Sequence, residues 1–183
     1  FIYITEPGQA FGEYLAVPGW DTPGAGDTEL CNSSEFDGER RVRLNPMSVS
    51  VPADQMIEAR VAVSAVDNSK QWYPSAGVMA RVGSLNSSSF SGYLCLVENT
   101  ELKLYDRATD GYYYPLASKP ITPVSSFTVR LLAKGSSITC ELRSAAPVVS
   151  VSATNTKYSS GSVGFFADLS KACFDQLTVT DVP

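Results

Sequence analysis

Three carboxylates at alternating positions, Glu35, Asp37 and Glu39, have the residue types that acid–base chemistry needs. Two carboxyl groups on either side of one bond can act as general acid and nucleophile when the pKa of one of them is raised. The neighbouring residues argue against a raised carboxyl pKa. A glycine interrupts the run, and the two arginines that follow would lower the carboxylate pKa values. We therefore predict an acidic surface loop or cation ligand here, and no catalytic residues.

The sequence contains no histidine. This absence excludes Ser-His-Asp and Cys-His catalysis, histidine-ligated zinc and the proton shuttle that operates near neutral pH. The composition therefore favours a protein that binds its partner over one that transforms it.

Aromatic residues in predicted loops and hairpin tips form a second candidate site. They are Trp20, Trp72, Tyr73, Tyr112 and Tyr113, with Tyr114 completing the last run. Rings in loops are incompletely buried, and sugars present flat CH faces that stack on aromatic rings. The alternative is that Trp72 and Tyr73 cover the end of a sandwich.

Three arginines, Arg60, Arg81 and Arg107, lie on the polar faces of their predicted strands. If those strands are adjacent, the guanidinium groups form one polar surface beside the aromatic loops and can bind sugar hydroxyls. The alternative is that the arginines pair with surface acids. We assign Arg60 and Arg81 to the predicted ligand-binding site.

Alternating hydrophobicity defines the elements that must position these residues. Phe127, Val129 and Leu131 alternate with polar residues, as do Ile138, Cys140 and Leu142 further along. A period of two predicts strands with one buried and one exposed face. About twelve such segments follow one another without a linker, which predicts a single antiparallel all-β domain over residues 1–183.

The closing strand departs from strict alternation. Phe174 is out of phase with Leu177 and Val179, so all three can face one core only if an extra residue is inserted between them. We therefore predict a β-bulge near Asp175-Gln176, which would also re-aim the Asp175 carboxylate.

Several of these strands resemble a known family. The runs "GSSITCEL", "YSSGSVGFFA" and "ACFDQLTV" are similar to the C-terminal half of concanavalin A-like, laminin-G-like jelly rolls, and "EARVAVSAV", "SAGVMARVG", "SGYLCLVE" and "ELKLYDR" resemble their central meander. The resemblance covers residues 55–182 and extends only loosely over residues 1–54. It implies an antiparallel jelly-roll β-sandwich, and function must then be argued from the site.

The acidic run also resembles the ExDxE signature of laminarinase- and lichenase-type β-glucanases on the same superfold. That resemblance implies Glu35 as nucleophile, Asp37 as helper and Glu39 as general acid/base. The family places its motif mid-chain on a central strand, whereas here the motif follows Asn32-Ser33-Ser34 in a turn-rich segment. The glycosidase hypothesis is therefore a second alternative.

Sandwiches of this superfamily commonly hold a structural Ca²⁺ through carboxylate and carbonyl oxygens. The resemblance implies Asp175 and Asp37 as the candidate ligands, with Asp21 and Asp27 as further acids in the loops. No cofactor other than a possible structural Ca²⁺ is predicted.

The four cysteines, Cys31, Cys95, Cys140 and Cys173, contain no CxxC pair. They are either buried thiols or the disulfides of a secreted protein, and we favour disulfides. In jelly rolls of the resembling family the first and last strands are often neighbours, which implies Cys31–Cys173 as the first pair to test.

Net charge and hydropathy bound the partners. The formal net charge is −5 and no Lys/Arg cluster stands out, so nucleic acid and anionic membranes are excluded as expected partners. No apolar run approaches the ~20 residues that span a bilayer, and the chain begins at Phe1 without a signal-peptide pattern, as expected of a mature or excised piece.

We therefore predict a non-catalytic, carbohydrate-binding, lectin-like β-sandwich that is secreted or displayed on a particle surface. The alternative is a structural subunit of a virion, tail, fibre or surface layer that assembles with itself or with other proteins through exposed strand edges. The glycosidase hypothesis built on Glu35 and Glu39 ranks third.

Overall fold

The fold is described from a computed structural model, which defines residues 2–3, 14–16, 29–31, 40–44, 51–66, 74–83 and 90–183. These described residues form fourteen β-strands in two seven-stranded antiparallel sheets, and they contain no helix. The prediction of an antiparallel all-β sandwich is confirmed, with two strands more than the twelve expected. The extension of a single domain over residues 1–183 stays a prediction.

The first sheet has the order β1-β14-β5-β10-β11-β12, and β3 also pairs with β14. Its strands are β1 (Ile2–Tyr3), β3 (Leu30–Cys31), β5 (Gln55–Val66), β10 (Ser126–Lys134), β11 (Ser137–Leu142), β12 (Val149–Thr154) and β14 (Ser170–Asp181).

The second sheet has the order β2-β4-β13-β6-β7-β8-β9. Its strands are β2 (Tyr14–Ala16), β4 (Arg40–Leu44), β6 (Ser75–Val82), β7 (Gly92–Glu98), β8 (Glu101–Arg107), β9 (Tyr113–Pro120) and β13 (Ser162–Asp168).

The main core lies between the two sheets. In β10 of the first sheet the residues Phe127, Val129 and Leu131 are buried, and Leu102 and Leu104 in β8 of the second sheet belong to the same buried cluster. These two strands therefore contribute alternate residues to the core, as the period of two requires. Within the described residues, no helix is long and apolar enough to cross a membrane.

The second sheet is also buried on its outer face. Met79, Leu94, Leu96 and Phe166 form a second apolar cluster there with Val82 and Phe90. Its central strands β6, β7 and β13 consequently show almost continuous burial instead of alternation. The polar outer face that the sequence predicts for this sheet is absent at these strands.

The β-bulge predicted in the closing strand is confirmed. The pairing of β14 with β5 shifts between Asp175 and Thr178, and Gln176 has a left-handed φ of 51°. The extra residue puts Phe174, Leu177 and Val179 together in the core.

Two disulfides connect distant parts of the chain. Cys31–Cys173, the pair implied by the resemblance, joins β3 to β14 within the first sheet. Cys95–Cys140 joins β7 to β11 and therefore links the two sheets through the core. All four cysteines are paired.

The cross-sheet disulfide generates a stability prediction. Cys95 and Cys140 close a loop with a sequence separation of 45, so the double variant Cys95→Ala/Cys140→Ala should lose about 2–4 kcal/mol of unfolding free energy, since the unfolded chain regains loop entropy. Urea unfolding measures the loss. A difference under about 1 kcal/mol between variant and wild type would contradict this account.

Candidate functional site

Two tyrosines project into solvent at one end of the sandwich. Tyr112 is 69% exposed and Tyr114 is 44% exposed, and they are two of the four large hydrophobic residues exposed among the described residues. Both lie where the hairpin between β8 and β9 turns back. Exposed aromatic rings are costly to leave in water and are typical of surfaces that bind a ligand.

Asp110 is hydrogen-bonded to both of these residues. Its Oδ1 accepts a hydrogen bond from the Tyr112 backbone N–H at 3.0 Å, and its Oδ2 accepts one from the Tyr114 hydroxyl at 2.8 Å. These two donors lower the pKa of Asp110, and the Asp110 carboxylate in turn raises the pKa of Tyr114. The carboxylate is therefore charged at neutral pH, and each oxygen keeps a further lone pair for a ligand hydroxyl.

The hairpin places these groups through a tight turn. Gly111 has φ of 89°, a conformation that glycine adopts without strain, and its N–H donates to the Ala108 carbonyl. The structure confirms the hairpin tip that the sequence predicts beside the tyrosine run.

A lysine from a distant loop completes the cluster. Lys157 lies between β12 and β13, and its Nζ donates to both carboxylate oxygens of Asp106 at 3.2 and 3.0 Å. The same Nζ is 5.1 Å from the ring centroid of Tyr114, within reach of a cation–π contact. The hairpin and the β12–β13 loop are thereby held side by side.

Tyr158 also fixes the position of the β12–β13 loop. Its hydroxyl donates to Asp106 Oδ1 and to the Arg107 carbonyl, both at 2.9 Å. Burial, followed by the hydrogen bond to Asp106, raises the pKa of Tyr158 well above its usual value. Tyr93 packs edge-on against Tyr158 and donates to Asn155 Oδ1 at 3.0 Å. The loop therefore has few alternative positions.

Arg81 fixes the main chain of this loop from inside the protein. Its side chain is 1% exposed, and its Nη1 donates to the carbonyls of Tyr158 and Gly135 at 2.9 and 2.7 Å. Its Nε donates to the Ala53 carbonyl, and its Nη2 pairs with Asp54 at 3.0 Å. Three chain segments that end at this side of the sandwich are therefore joined by one guanidinium group.

The prediction that Arg81 lies on an exposed polar face is wrong. The pairing of β6 with β13 has a register shift, and Arg81 has a left-handed φ of 50°. This bulge changes the alternation of β6 after Ala80, so Val82 joins the outer cluster while Arg81 turns inward.

Arg107 is also buried and not part of a polar surface. Its guanidinium carbon lies 4.3 Å from the ring centroid of Phe90 and 4.8 Å from that of Tyr113. Arg60 is exposed, but it lies in β5 of the other sheet, where it pairs with Asp175 at 3.7 Å. The three arginines therefore do not form the single surface that the sequence predicted.

Tyr113 differs from its two neighbours. It is only partly exposed, and its ring packs edge-on against Tyr105 and Phe166 in the outer cluster of the second sheet. Alternation along β9 turns Tyr113 to the face opposite Tyr114, and ligand contact by Tyr113 stays a prediction. Ligand contact by Tyr112 stays a prediction.

Several predicted site residues lie outside the described residues. They are Trp20, Trp72 and Tyr73 of the aromatic set, Glu35 and Glu39 of the glycosidase hypothesis, and Asp37, with Asp21 and Asp27, of the calcium hypothesis. Their roles stay predictions.

Asp175 is the described residue expected to bind calcium. Its Oδ1 is buried without a hydrogen-bond partner among the described residues, and desolvation raises its pKa against the opposing effect of Arg60. The one cluster of three potential ligands found in the described part of the chain contains Glu29, Cys31 and Cys173, but both sulfurs are bonded to each other. The described residues thus lack the oxygen cluster that Ca²⁺ prefers, and the calcium site stays a prediction.

A cavity of about 430 Å³ lies at the opposite end of the sandwich. Its lining includes Val63, Val97, Phe127 and Val124, together with several serines and Asn99, and no charged side chain among the described residues. As far as the structure describes it, its lining presents no exposed aromatic ring, whereas the hairpin end presents two.

Sequence reasoning missed the charged members of the site, Asp106, Asp110 and Lys157. One signal was present, since Asp106 continues the buried phase set by Leu102 and Leu104 in β8 and is itself 5% exposed. A carboxylate on the inward phase of a strand needs a partner. The identity of that partner, 51 residues further along, depends on the tertiary fold.

No protein-family model matches the chain, and no curated protein matches it. Solved structures do match. A structure of the carbohydrate binding module CBM66 from Bacillus subtilis superposes with a TM-score of 0.67 at 17% sequence identity, covering 89% of this chain and 96% of that chain.

Two lectin-like domains superpose as well. The exoplasmic/lumenal domain of VIP36, in its Ca²⁺/Man3GlcNAc-bound form, gives a TM-score of 0.60 at 10% identity and covers 93% of this chain and 88% of its own. A legume lectin-like domain from Entamoeba histolytica gives 0.58 at 9% identity, with 85% of each chain covered. The chain therefore has the jelly-roll β-sandwich fold found in lectin-like domains and carbohydrate-binding modules, and the predicted fold class is confirmed.

Arg81 and Arg60, equivalent in the sequence pattern, should differ in stability measurements. Arg81→Met leaves three backbone carbonyls without their guanidinium donor and removes the ion pair to Asp54, so it should lower the unfolding free energy by about 3 kcal/mol or more. Arg60→Met removes a half-exposed pair and should cost less than about 1 kcal/mol. Equal losses of unfolding free energy in the two variants, measured by urea unfolding, would contradict the role assigned to Arg81.

Alkaline pH should destabilise the protein through Tyr105. Burial, with the Glu98 carboxylate second, raises the pKa of Tyr105 to about 12, whereas a tyrosine in the unfolded chain titrates near 10. As pH rises, the unfolded state loses this proton before the folded state does. The contribution of Tyr105 to the unfolding free energy is therefore fully present below pH ~10 and is lost as pH rises toward 12. Unfolding free energies measured across that range should decline less steeply in Tyr105→Phe. Identical slopes in variant and wild type would refute the assignment.

Proposed function

We propose that this protein is a non-catalytic carbohydrate-binding β-sandwich, and that Tyr112, Tyr114 and Asp110 form its sugar-contacting surface. The observation that carries the proposal is the geometry of the hairpin tip. Two residues with exposed rings both hydrogen-bond one carboxylate, Tyr112 through its backbone N–H and Tyr114 through its hydroxyl.

The chemistry of this surface matches that of a sugar. The rings supply flat apolar faces for the CH groups of a pyranose, and the charged Asp110 carboxylate accepts hydrogen bonds from its hydroxyls. The Lys157 ammonium group lies over the Tyr114 ring and adds a positive charge beside the site. The site is shallow, so a single contact would be of modest affinity, as expected for a surface that buries little area.

The fold agrees with this function without determining it. A carbohydrate binding module and a lumenal domain in its Ca²⁺/Man3GlcNAc-bound form share the sandwich at identities of 17% and 10%. The two disulfides favour an extracellular or lumenal location, where such bonds persist. We therefore propose that the protein is secreted or displayed on a particle surface.

The absence of histidine supports a binding function over a catalytic one. The glycosidase hypothesis has a direct test in hydrolysis of laminarin or lichenan. Hydrolysis by wild type that is lost in Glu35→Gln would replace the proposal with an enzyme.

A glycan array with plant, microbial and host glycans, followed by calorimetry on the best binder, tests the proposal. Tyr112→Ala and Tyr114→Ala should each weaken binding by about 1–2 kcal/mol, roughly 5- to 30-fold, because each removes one stacking face. Val124→Ala, an exposed apolar residue beside the cavity at the other end, is the matched control and should bind like wild type.

Two outcomes would overturn the assignment. If no glycan binds, the sandwich serves another purpose, and the assembly alternative becomes the better hypothesis. If a glycan binds but the tyrosine variants keep full affinity while Val124→Ala loses it, the binding site lies at the cavity end.

A further inference from the structure

Strand β12 is the last strand of the first sheet, and its edge lacks the residues that usually prevent another strand from pairing. Its segment from Val148 to Thr156 contains neither proline nor a charged residue, and Ser152 and Thr154 are exposed. No strand of the described residues pairs with its outer side. Open edges of this kind are templates for another strand.

The hydrogen-bond pattern shows which backbone groups face outward. The Asn155 N–H donates to the Ser136 carbonyl, directly beyond the Ser137–Thr154 pair, so alternate residues Val149, Val151 and Ala153 must direct their backbone groups toward β11. Ser150, Ser152 and Thr154 therefore direct their N–H and C=O groups away from the sheet. The close contact between the Thr139 and Ser152 hydroxyl oxygens, at 2.9 Å, agrees with this phase.

The edge strand of the other sheet is different. β9 contains Pro115, Lys119 and Pro120, which remove donors and place a charge along that edge. Of these two opposed edges, only β12 can accept a strand over its full length.

We propose that β12 pairs with β12 of a second copy of this chain, in an antiparallel arrangement about a two-fold axis at Ser152. Ser152 then faces its own counterpart, and Ser150 faces Thr154 of the other copy on both sides of the axis. Each of these pairs exchanges two backbone hydrogen bonds. The symmetric contact closes on itself, so the product is a dimer and not a fibre.

Self-complementarity is the reason for choosing a second copy as the partner. The outer row of the paired strands consists of small hydroxyl side chains only, so no like charges oppose each other. The inner row brings Val151 opposite Ala153 and continues the apolar face of the sheet. A charged peptide would find no opposite charge to pair with along this neutral edge.

Sedimentation velocity over a concentration series up to about 1 mM tests the proposal, since small interfaces are weak. Wild type should shift from the mass of one chain toward that of two. Ser152→Lys places two positive charges face to face at the axis and should weaken association at least tenfold. Ser118→Lys makes the same change on the β9 edge and should leave association unchanged.

Hydrogen exchange supplies a readout that mere surface charge would not move. The amides of Ser150, Ser152 and Thr154 should gain protection with rising concentration, and those on the β9 edge should not. Wild type that stays at one-chain mass throughout overturns the proposal. So does association that Ser118→Lys abolishes and Ser152→Lys leaves intact, or protection of these amides by an unrelated serine–valine peptide without self-association.

Discussion

The buried guanidinium group of Arg81 is the interaction on which the hairpin end of this sandwich depends. It donates to main-chain carbonyls of Ala53, Gly135 and Tyr158, which belong to the approach to β5, the β10–β11 turn and the β12–β13 loop. A buried cation needs its charge and donors satisfied, and here carbonyl dipoles and Asp54 do so. The guanidinium group in turn fixes the position of loops that lie outside the interstrand hydrogen bonds of the two sheets.

The candidate site is built on this foundation in two steps. Arg81 holds the carbonyl of Tyr158, and the Tyr158 hydroxyl holds the Asp106 carboxylate on β8. Lys157 then bridges Asp106 to the ring of Tyr114. The exposed tyrosines are therefore supported by buried polar groups, which is the arrangement that keeps a binding surface rigid and limits the entropy lost on binding.

If β12 pairs across a two-fold axis, the two sites of the dimer lie at opposite ends of the joined sheet, because the paired strands are antiparallel. That placement suits bridging between two glycan chains.

The patterns that depend on near neighbours were predictable. Alternation gave the strands of the main core, and the phase of Phe174 against Leu177 gave the bulge at Asp175-Gln176. The same device in β6 was missed, because Val78, Ala80 and Val82 alternate perfectly and conceal the inserted residue at Arg81. Only the partner strand reveals that Val82 belongs to a different face. The outer cluster of the second sheet was missed for a related reason, since a strand buried on both faces has no polar phase to show which residues point where.

What the sequence by itself determined is the class of architecture: two-residue periodicity and turn residues specify antiparallel strands, and the lack of histidine restricts the chemistry. What only the tertiary structure decided is which side chains meet. Tyr112, Tyr113 and Tyr114 are identical in type, yet the pleat of β9 packs the middle one against the outer apolar cluster and leaves the other two in solvent. Arg60 and Arg81 occupy equivalent phases in the sequence, yet one is half-exposed and the other is buried. The physical reason is that burial depends on contacts between residues far apart in the chain, and local periodicity holds no information about which distant segment will arrive opposite.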